Sequence, residues 1–124
     1  MRYLVIAAAL VLLLSESTAK ADDVNCDNWR GRGDVPQSTM NFCARLDYQR
    51  VDALLNKTYE VVAAKGDTDL LRKAERAWIA FRDAECTYQT IGEEGGSLHS
   101  LEYSDCLTRL TRQRIQQLRT GGNE

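Results

Sequence analysis

An all-α domain is predicted here: a three-helix, up-down-up bundle stapled by two disulfides. Three observations predict it. Apolar residues recur at three- and four-residue spacing in three separate segments, which is the period of a helix. Glycine-bearing breaks, at Gly66 and at Gly92 to Gly96, divide those segments. Four cysteines, Cys26, Cys43, Cys86 and Cys106, fall so that two of them stand on the arms of one helical hairpin. No stretch alternates with period two, so no strand is expected.

The first residues read as a targeting segment. Arg2 supplies a positive start, Leu4 to Leu14 is an unbroken apolar run, and Ala19-Lys20-Ala21 fits the small-x-small cleavage rule. Residues 1–21 are therefore expected to be a signal peptide, with a mature domain at 22–124. The apolar run falls short of the about 20 residues a membrane helix needs, and Cys26 lacks the small apolar residues before it that lipid attachment requires. No stable membrane anchor is expected. Loss of Arg2, Lys20 and Glu16 moves the formal charge from −2 to −3. That mild acidity argues against nucleic acid and anionic membranes as partners and suits a basic protein.

An even cysteine count in a small exported chain reads as two disulfides, for which three connectivities exist. Cys26–Cys43 with Cys86–Cys106 is favoured, because each closes a short loop and the second staples the hairpin. No Cys-x-x-Cys pair is present and His99 is the sole histidine, so no metal or cofactor is expected.

Asp22 to Gln37 is a polar arm with Gly31, Gly33 and Pro36, pinned by Cys26, with Trp29 as an apolar lid on the helices. The first helix is expected from a cap at Ser38 or Thr39 to about Lys65, with Tyr48, Val51, Asp52, Leu55, Tyr59 and Val62 in one stripe. Asp67 or Thr68 caps the second. Its stripe is Leu71, Ala74, Trp78, Phe81, Glu85 and Tyr88, widened by Leu70, Ala77 and Ala84. Ser97 or Ser100 starts the third, whose inner face is Tyr103, Leu107, Leu110, Arg114 and Leu118. Gly121-Gly122 stops it.

Catalytic signals are sparse. His99 reads as a solvated loop histidine, and no Gly-x-Ser-x-Gly turn supports a serine hydrolase. Gly92-Glu93-Glu94-Gly95-Gly96-Ser97 lacks the lysine of a phosphate loop and carries two repelling carboxylates. Paired cysteines leave no thiol nucleophile. Asn56-Lys57-Thr58 matches a glycosylation acceptor but lies mid-helix and reads as a chance match. Asp52, Glu85 and Arg114 stand on apolar stripes, where a lone charge is costly. Arg114 is expected to pair with Asp52 or Glu85 as a structural bridge. Paired carboxylates for glycoside hydrolysis would need an open sugar cleft that so small a domain hardly provides.

Five pieces of sequence carry a family resemblance. They are Thr39-Met40-Asn41-x-Cys43-Ala44, Asp52-x-x-Leu55-Asn56-x-x-Tyr59, Ala77-Trp78-x-x-Phe81-Arg82-Asp83-x-Glu85-Cys86, Gly95-Gly96-Ser97 and Cys106-x-x-x-Leu110-Thr111-x-x-Arg114-x-x-x-Leu118. In order, and over nearly all of the mature chain, they resemble the LprI-like lysozyme-inhibitor domain of bacterial envelope proteins. The Trp-to-Cys piece is the most specific. The resemblance implies a helical, disulfide-stapled, periplasmic or secreted domain that inhibits lysozyme and is not an enzyme. The lipid anchor of the protein that named the family is not implied, since no lipid-attachment box is present.

The expected partner is then a lysozyme-like muramidase, whose cleft works through two carboxylates. The loop from Gly92 to Ser100, held at its base by Cys86–Cys106, is the candidate contact, with Glu93, Glu94, Ser97 and His99 as its polar groups. The other reading is a non-catalytic envelope adaptor with a different protein partner.

Overall fold

A computed structural model describes residues 24–121. The signal segment 1–21, the mature start at Asp22 and Gly122 of the stop lie outside the described residues. The chain forms three helices, α1 (Gln37–Ala63), α2 (Thr68–Gln89) and α3 (His99–Thr120), with short 3₁₀ turns at Trp29–Gly31 and Ile91–Glu93. Among the described residues there is no strand. Both disulfides form as Cys26–Cys43 and Cys86–Cys106.

Helix ends follow local chemistry, with some departures from expectation. Pro36, not Ser38 or Thr39, precedes α1 (φ −58°, ψ 147°), and its carbonyl accepts from the Met40 amide at 3.0 Å. Proline fixes φ and lacks an N–H, so it sets the entry without a side-chain cap. Ser38 and Thr39 lie in the first turn. α1 ends at Ala63, and the Thr68 hydroxyl donates to the Ala63 carbonyl at 3.0 Å across the turn. Asp67 caps α2, its Oδ1 accepting from the amides of Asp69 (3.1 Å) and Leu70 (3.0 Å). Neither Ser97 nor Ser100 caps α3, which begins after Leu98 with no side-chain cap. Gly121 closes α3 at φ 67°, a left-handed conformation that glycine adopts freely.

α1 and α3 lie side by side and parallel, because Cys43 and Ala44 share a cluster with Leu101 while Val51 and Leu55 share one with Ile115 and Leu118. α2 returns antiparallel, joining Leu71 to the Leu118 end and Cys86 to Cys106. α3 is the central element. Its buried side chains include Leu107, Leu110, Thr111, Ile115 and Leu118. Tyr59, Val62 and Trp78 are partly buried and pack on this core. The N-terminal arm closes one end: Trp29 is buried against Cys43 and Ala44, and its indole donates to Asp47 Oδ2 at 3.3 Å. Arg30 stacks on that indole at 4.0 Å and donates to Asp105 of α3 at 2.9 Å. That hydrogen bond holds the guanidinium pKa above its ordinary value.

α2 is turned relative to the expected stripe. Leu71 and Trp78 face inward, but Glu75, Arg82 and Cys86 complete the inner face in place of Ala74, Phe81 and Tyr88. Phe81 is 54% exposed and Tyr88 75% exposed. Two constraints set this rotation: Cys86 must meet Cys106, and Glu75 and Arg82 must meet opposite charges.

Those charges form a polar layer in the bundle. The buried Arg82 guanidinium donates to Asp83 at 2.8 Å and reaches Asp52 at 3.4 Å and Thr111 Oγ1 at 3.5 Å. It lies over the rings of Trp78 (5.2 Å) and Tyr48 (5.5 Å). Burial raises the Tyr48 phenol pKa, and Arg82 partly offsets this. One level away, Arg114 donates to Glu75 Oε2 at 2.9 Å. The expected partners of Arg114 are thereby corrected: Asp52 belongs to Arg82, and Glu85 accepts from Gln89 at 2.7 Å within α2. Glu75 and Arg82 were not anticipated, because a charge on the inner face of a helix resembles an outer residue to any apolar count.

Candidate partner-binding loop

The connection between α2 and α3 is built from short hydrogen-bonded turns. Thr90 is buried at its root, with its hydroxyl donating to the Cys86 carbonyl at 2.8 Å. The amide of Glu93 donates to the Thr90 carbonyl at 3.0 Å, that of Glu94 to Ile91 at 3.4 Å and that of Gly96 to Glu93 at 2.9 Å. Gly95 turns the chain at φ 79°. At Gly96 a Cβ would stand 3.1 Å from the Glu93 carbonyl oxygen, so this turn suits glycine. From α1, the Asn41 side-chain amide donates to the Ser97 carbonyl at 3.1 Å. The loop is therefore tied to the bundle by a disulfide at its base, a buried threonine at its root and a hydrogen bond on its flank.

Exposure divides the sequence-predicted residues. Glu93, Glu94 and Ser97 are exposed. His99 is not a free loop residue but the first residue of α3, half-buried, stacked on Tyr103 with ring centroids 5.9 Å apart. Its Nε2 lies 3.4 Å from Thr90 Oγ1. Histidine here fastens the root of the loop and does not stand at its tip. Two residues outside the expected set complete the outer surface. Ile91 and Leu98, at either end of the glycine run, are both exposed. The loop thus presents two apolar side chains around two carboxylates. Apolar residues bracketing a glycine run were the available signal, but they read equally as helix ends.

Among the described residues no group of three or more His, Cys, Asp or Glu could hold a metal. A groove of about 690 Å³ lies at the far end of the bundle beside Val62, Leu71, Arg114 and Leu118, and none of the described residues lining it is a carboxylate. A shaped, stapled loop suits recognition, because little ordering is left to be lost on binding.

The family model described as "Lysozyme inhibitor LprI" matches residues 31–118. This chain belongs to the LprI family. The matched region takes in α1, α2, the loop, the polar layer and all of α3 but its last two residues. An uncharacterized protein of Rhizobium meliloti (strain 1021) is 37% identical over 132 residues, covering 91% of each chain. The uncharacterized protein YecT of Escherichia coli (strain K12) is 33% identical over 112 residues, covering 74% of this chain and 69% of its own. No solved structure shows a significant match to the chain. The family's description is that of a lysozyme inhibitor, which implies a muramidase as its general partner.

Proposed function

We propose that this LprI-family chain is exported to the periplasm or beyond, and that it inhibits a lysozyme-like muramidase by placing the loop Ile91–Leu98 in the sugar cleft. The observation that carries the reading is the loop itself: a hydrogen-bonded protrusion, stapled by Cys86–Cys106, with Ile91 and Leu98 exposed around Glu93 and Glu94. A sugar cleft offers apolar and aromatic surface to such side chains, and blocking it requires no chemistry from the inhibitor. The carboxylates would speed the approach of a basic enzyme. Export rests on the apolar run Leu4–Leu14 and the Ala19-Lys20-Ala21 site. Intact-mass measurement on the secreted product should give a chain beginning at Asp22 with no acyl group. A retained leader or an added lipid contradicts this.

The functional test is peptidoglycan hydrolysis by several lysozymes with and without the mature chain. Inhibition is expected, and it should weaken as salt rises, because exposed charges are screened beyond about 8–10 Å. Glu93→Lys combined with Glu94→Lys should slow association at least about tenfold while thermal unfolding stays the same, since neither carboxylate has a buried partner to lose. Unchanged inhibition by the double variant moves the contact away from the loop tip. No inhibition of any lysozyme by the parent chain favours the adaptor reading instead.

A further inference from the structure

α2 has a second apolar face, and none of the described residues covers it. Leu70, Ala74, Ala77, Phe81, Ala84 and Tyr88 are all exposed. Their spacing alternates four and three, which is the heptad seam of a helix that packs on another helix. Leu70 is 67% exposed, and with Phe81 and Tyr88 it forms the bulk of the face. No charged residue interrupts the seam. Meanwhile α2 turns Glu75 and Arg82 inward. A surface helix normally keeps its charges outside and its large apolar side chains inside, so α2 is inverted for a monomer.

We propose that this seam is the interface of an antiparallel homodimer, with α2 of one copy lying against α2 of a second. Three features point to a second copy as the occupant. The first is shape: pairing about a two-fold axis at the level of Ile79 sets Phe81 against Ala77, Ala74 against Ala84 and Leu70 against Tyr88, so the large ring at the centre meets a small residue. Large side chains opposite small ones are what interdigitating helices require. The second is charge. With the inward Glu75 and Arg82 set aside, the N-terminal half of α2 holds Arg72, Lys73 and Arg76 against Asp69, two positive charges in excess, and the C-terminal half holds Asp83 and Glu85, two negative charges. Antiparallel pairing sets opposite halves together, whereas parallel pairing sets like halves together. The third is area. With aromatic side chains covering about 150–250 Å² each, the seam offers roughly 600 Å² per copy, which reaches the low end of the about 1,200–2,000 Å² total of a specific interface. A reversible dimer follows from that size.

The inference does not depend on the inhibitory reading, but it bears on it. Each inhibitory loop follows the C-terminal end of its α2. An antiparallel pair therefore carries the two loops at opposite ends, separated by about the 33 Å length of a 22-residue helix. Both loops stay free for a partner.

Sedimentation equilibrium of the mature chain from micromolar to millimolar concentration tests the proposal. The apparent mass should rise from one chain to two. Phe81→Lys should raise the dissociation constant at least about 30-fold, as for a central anchor residue, with an unchanged thermal midpoint at concentrations where the parent chain is monomeric, because Phe81 is exposed in the single chain. Val61→Lys, on the exposed face of α1, should leave association unchanged. Leu70→Lys and Tyr88→Glu should each weaken the dimer, and the two together should restore it, since the antiparallel register sets 70 against 88. A single-chain mass at millimolar concentration overturns the proposal, as does a dimer that survives Phe81→Lys. Failure of the double variant to associate overturns the antiparallel register.

Discussion

Arg114→Ala should lower the stability of the bundle by roughly 3 kcal/mol or more, whereas Arg112→Ala should change it by less than about 0.5 kcal/mol. The two arginines are two residues apart on α3 and carry the same charge, so only their surroundings differ. Arg112 is exposed. Arg114 donates to Glu75, which is 8% exposed, and Glu75 Oε1 already lacks a hydrogen-bond partner among the described residues. Without Arg114, a buried carboxylate is left uncompensated, next to a Trp78 ring that also loses the guanidinium lying 5.8 Å from its centre. The cost comes from the orphaned charge more than from the attraction of the pair, which burial largely offsets. Replacing both partners, as in Glu75→Leu with Arg114→Met, should therefore recover most of the loss. Urea midpoints of the four proteins decide the matter. Equal shifts for Arg114→Ala and Arg112→Ala contradict a buried pair, and a double replacement as damaging as the single one assigns the loss to packing.

Removing the staple, as Cys86→Ala with Cys106→Ala, should cost about 2–5 kcal/mol. The closed segment spans 20 residues, for which the chain-entropy model gives about 3 kcal/mol. Burial adds to this, because Cys86 is fully enclosed and both cysteines share a buried cluster with Leu107 and Leu110. The effect on binding should exceed the effect on overall helicity. α2 contacts the other helices through Leu71, Trp78 and two ion pairs, and near its C-terminal end Gln89 accepts from Arg109 of α3 at 2.8 Å, so loss of the disulfide leaves one exposed hydrogen bond to hold that end and the root of the loop loosens. Circular dichroism with thermal unfolding, run beside the hydrolysis assay, measures both. Full inhibitory strength in the double-alanine variant contradicts a role for the staple in shaping the loop.

How much of this was legible in the chain depended on what each helix buries. α1 and α3 line their contact with ordinary apolar residues, so Val51, Leu55, Leu107, Leu110 and Leu118 could be read from spacing. The cysteine pairing was legible because each bridge closes a short segment. α2 defeated the same reading. It has two faces at neighbouring angles: one with Leu71, Glu75, Trp78, Arg82 and Cys86, the other with Leu70, Ala74, Ala77, Phe81, Ala84 and Tyr88. The second is the more apolar, and the first is the one that packs. An apolar count cannot choose the face whose charges are neutralised by partners on other helices, and those partners, Asp52 and Arg114, are 30 and 39 residues away in sequence. The loop was legible as a break. Its ordered form was not, because it depends on Asn41, 56 residues from Ser97, and on a Thr90 hydroxyl turned back to Cys86.

The most direct test of the central claim is amide hydrogen exchange of the mature chain alone and saturated with a lysozyme that it inhibits. The account predicts that exchange slows across residues 91–98, with the backbone amides of Glu94, Gly95 and Ser97 among the most affected, while the outer face of α1 around Leu54 and Val61 exchanges as before. Unchanged exchange across 91–98, with protection appearing instead on α1, α2 or the arm around Trp29, would contradict the loop as the inhibitory contact.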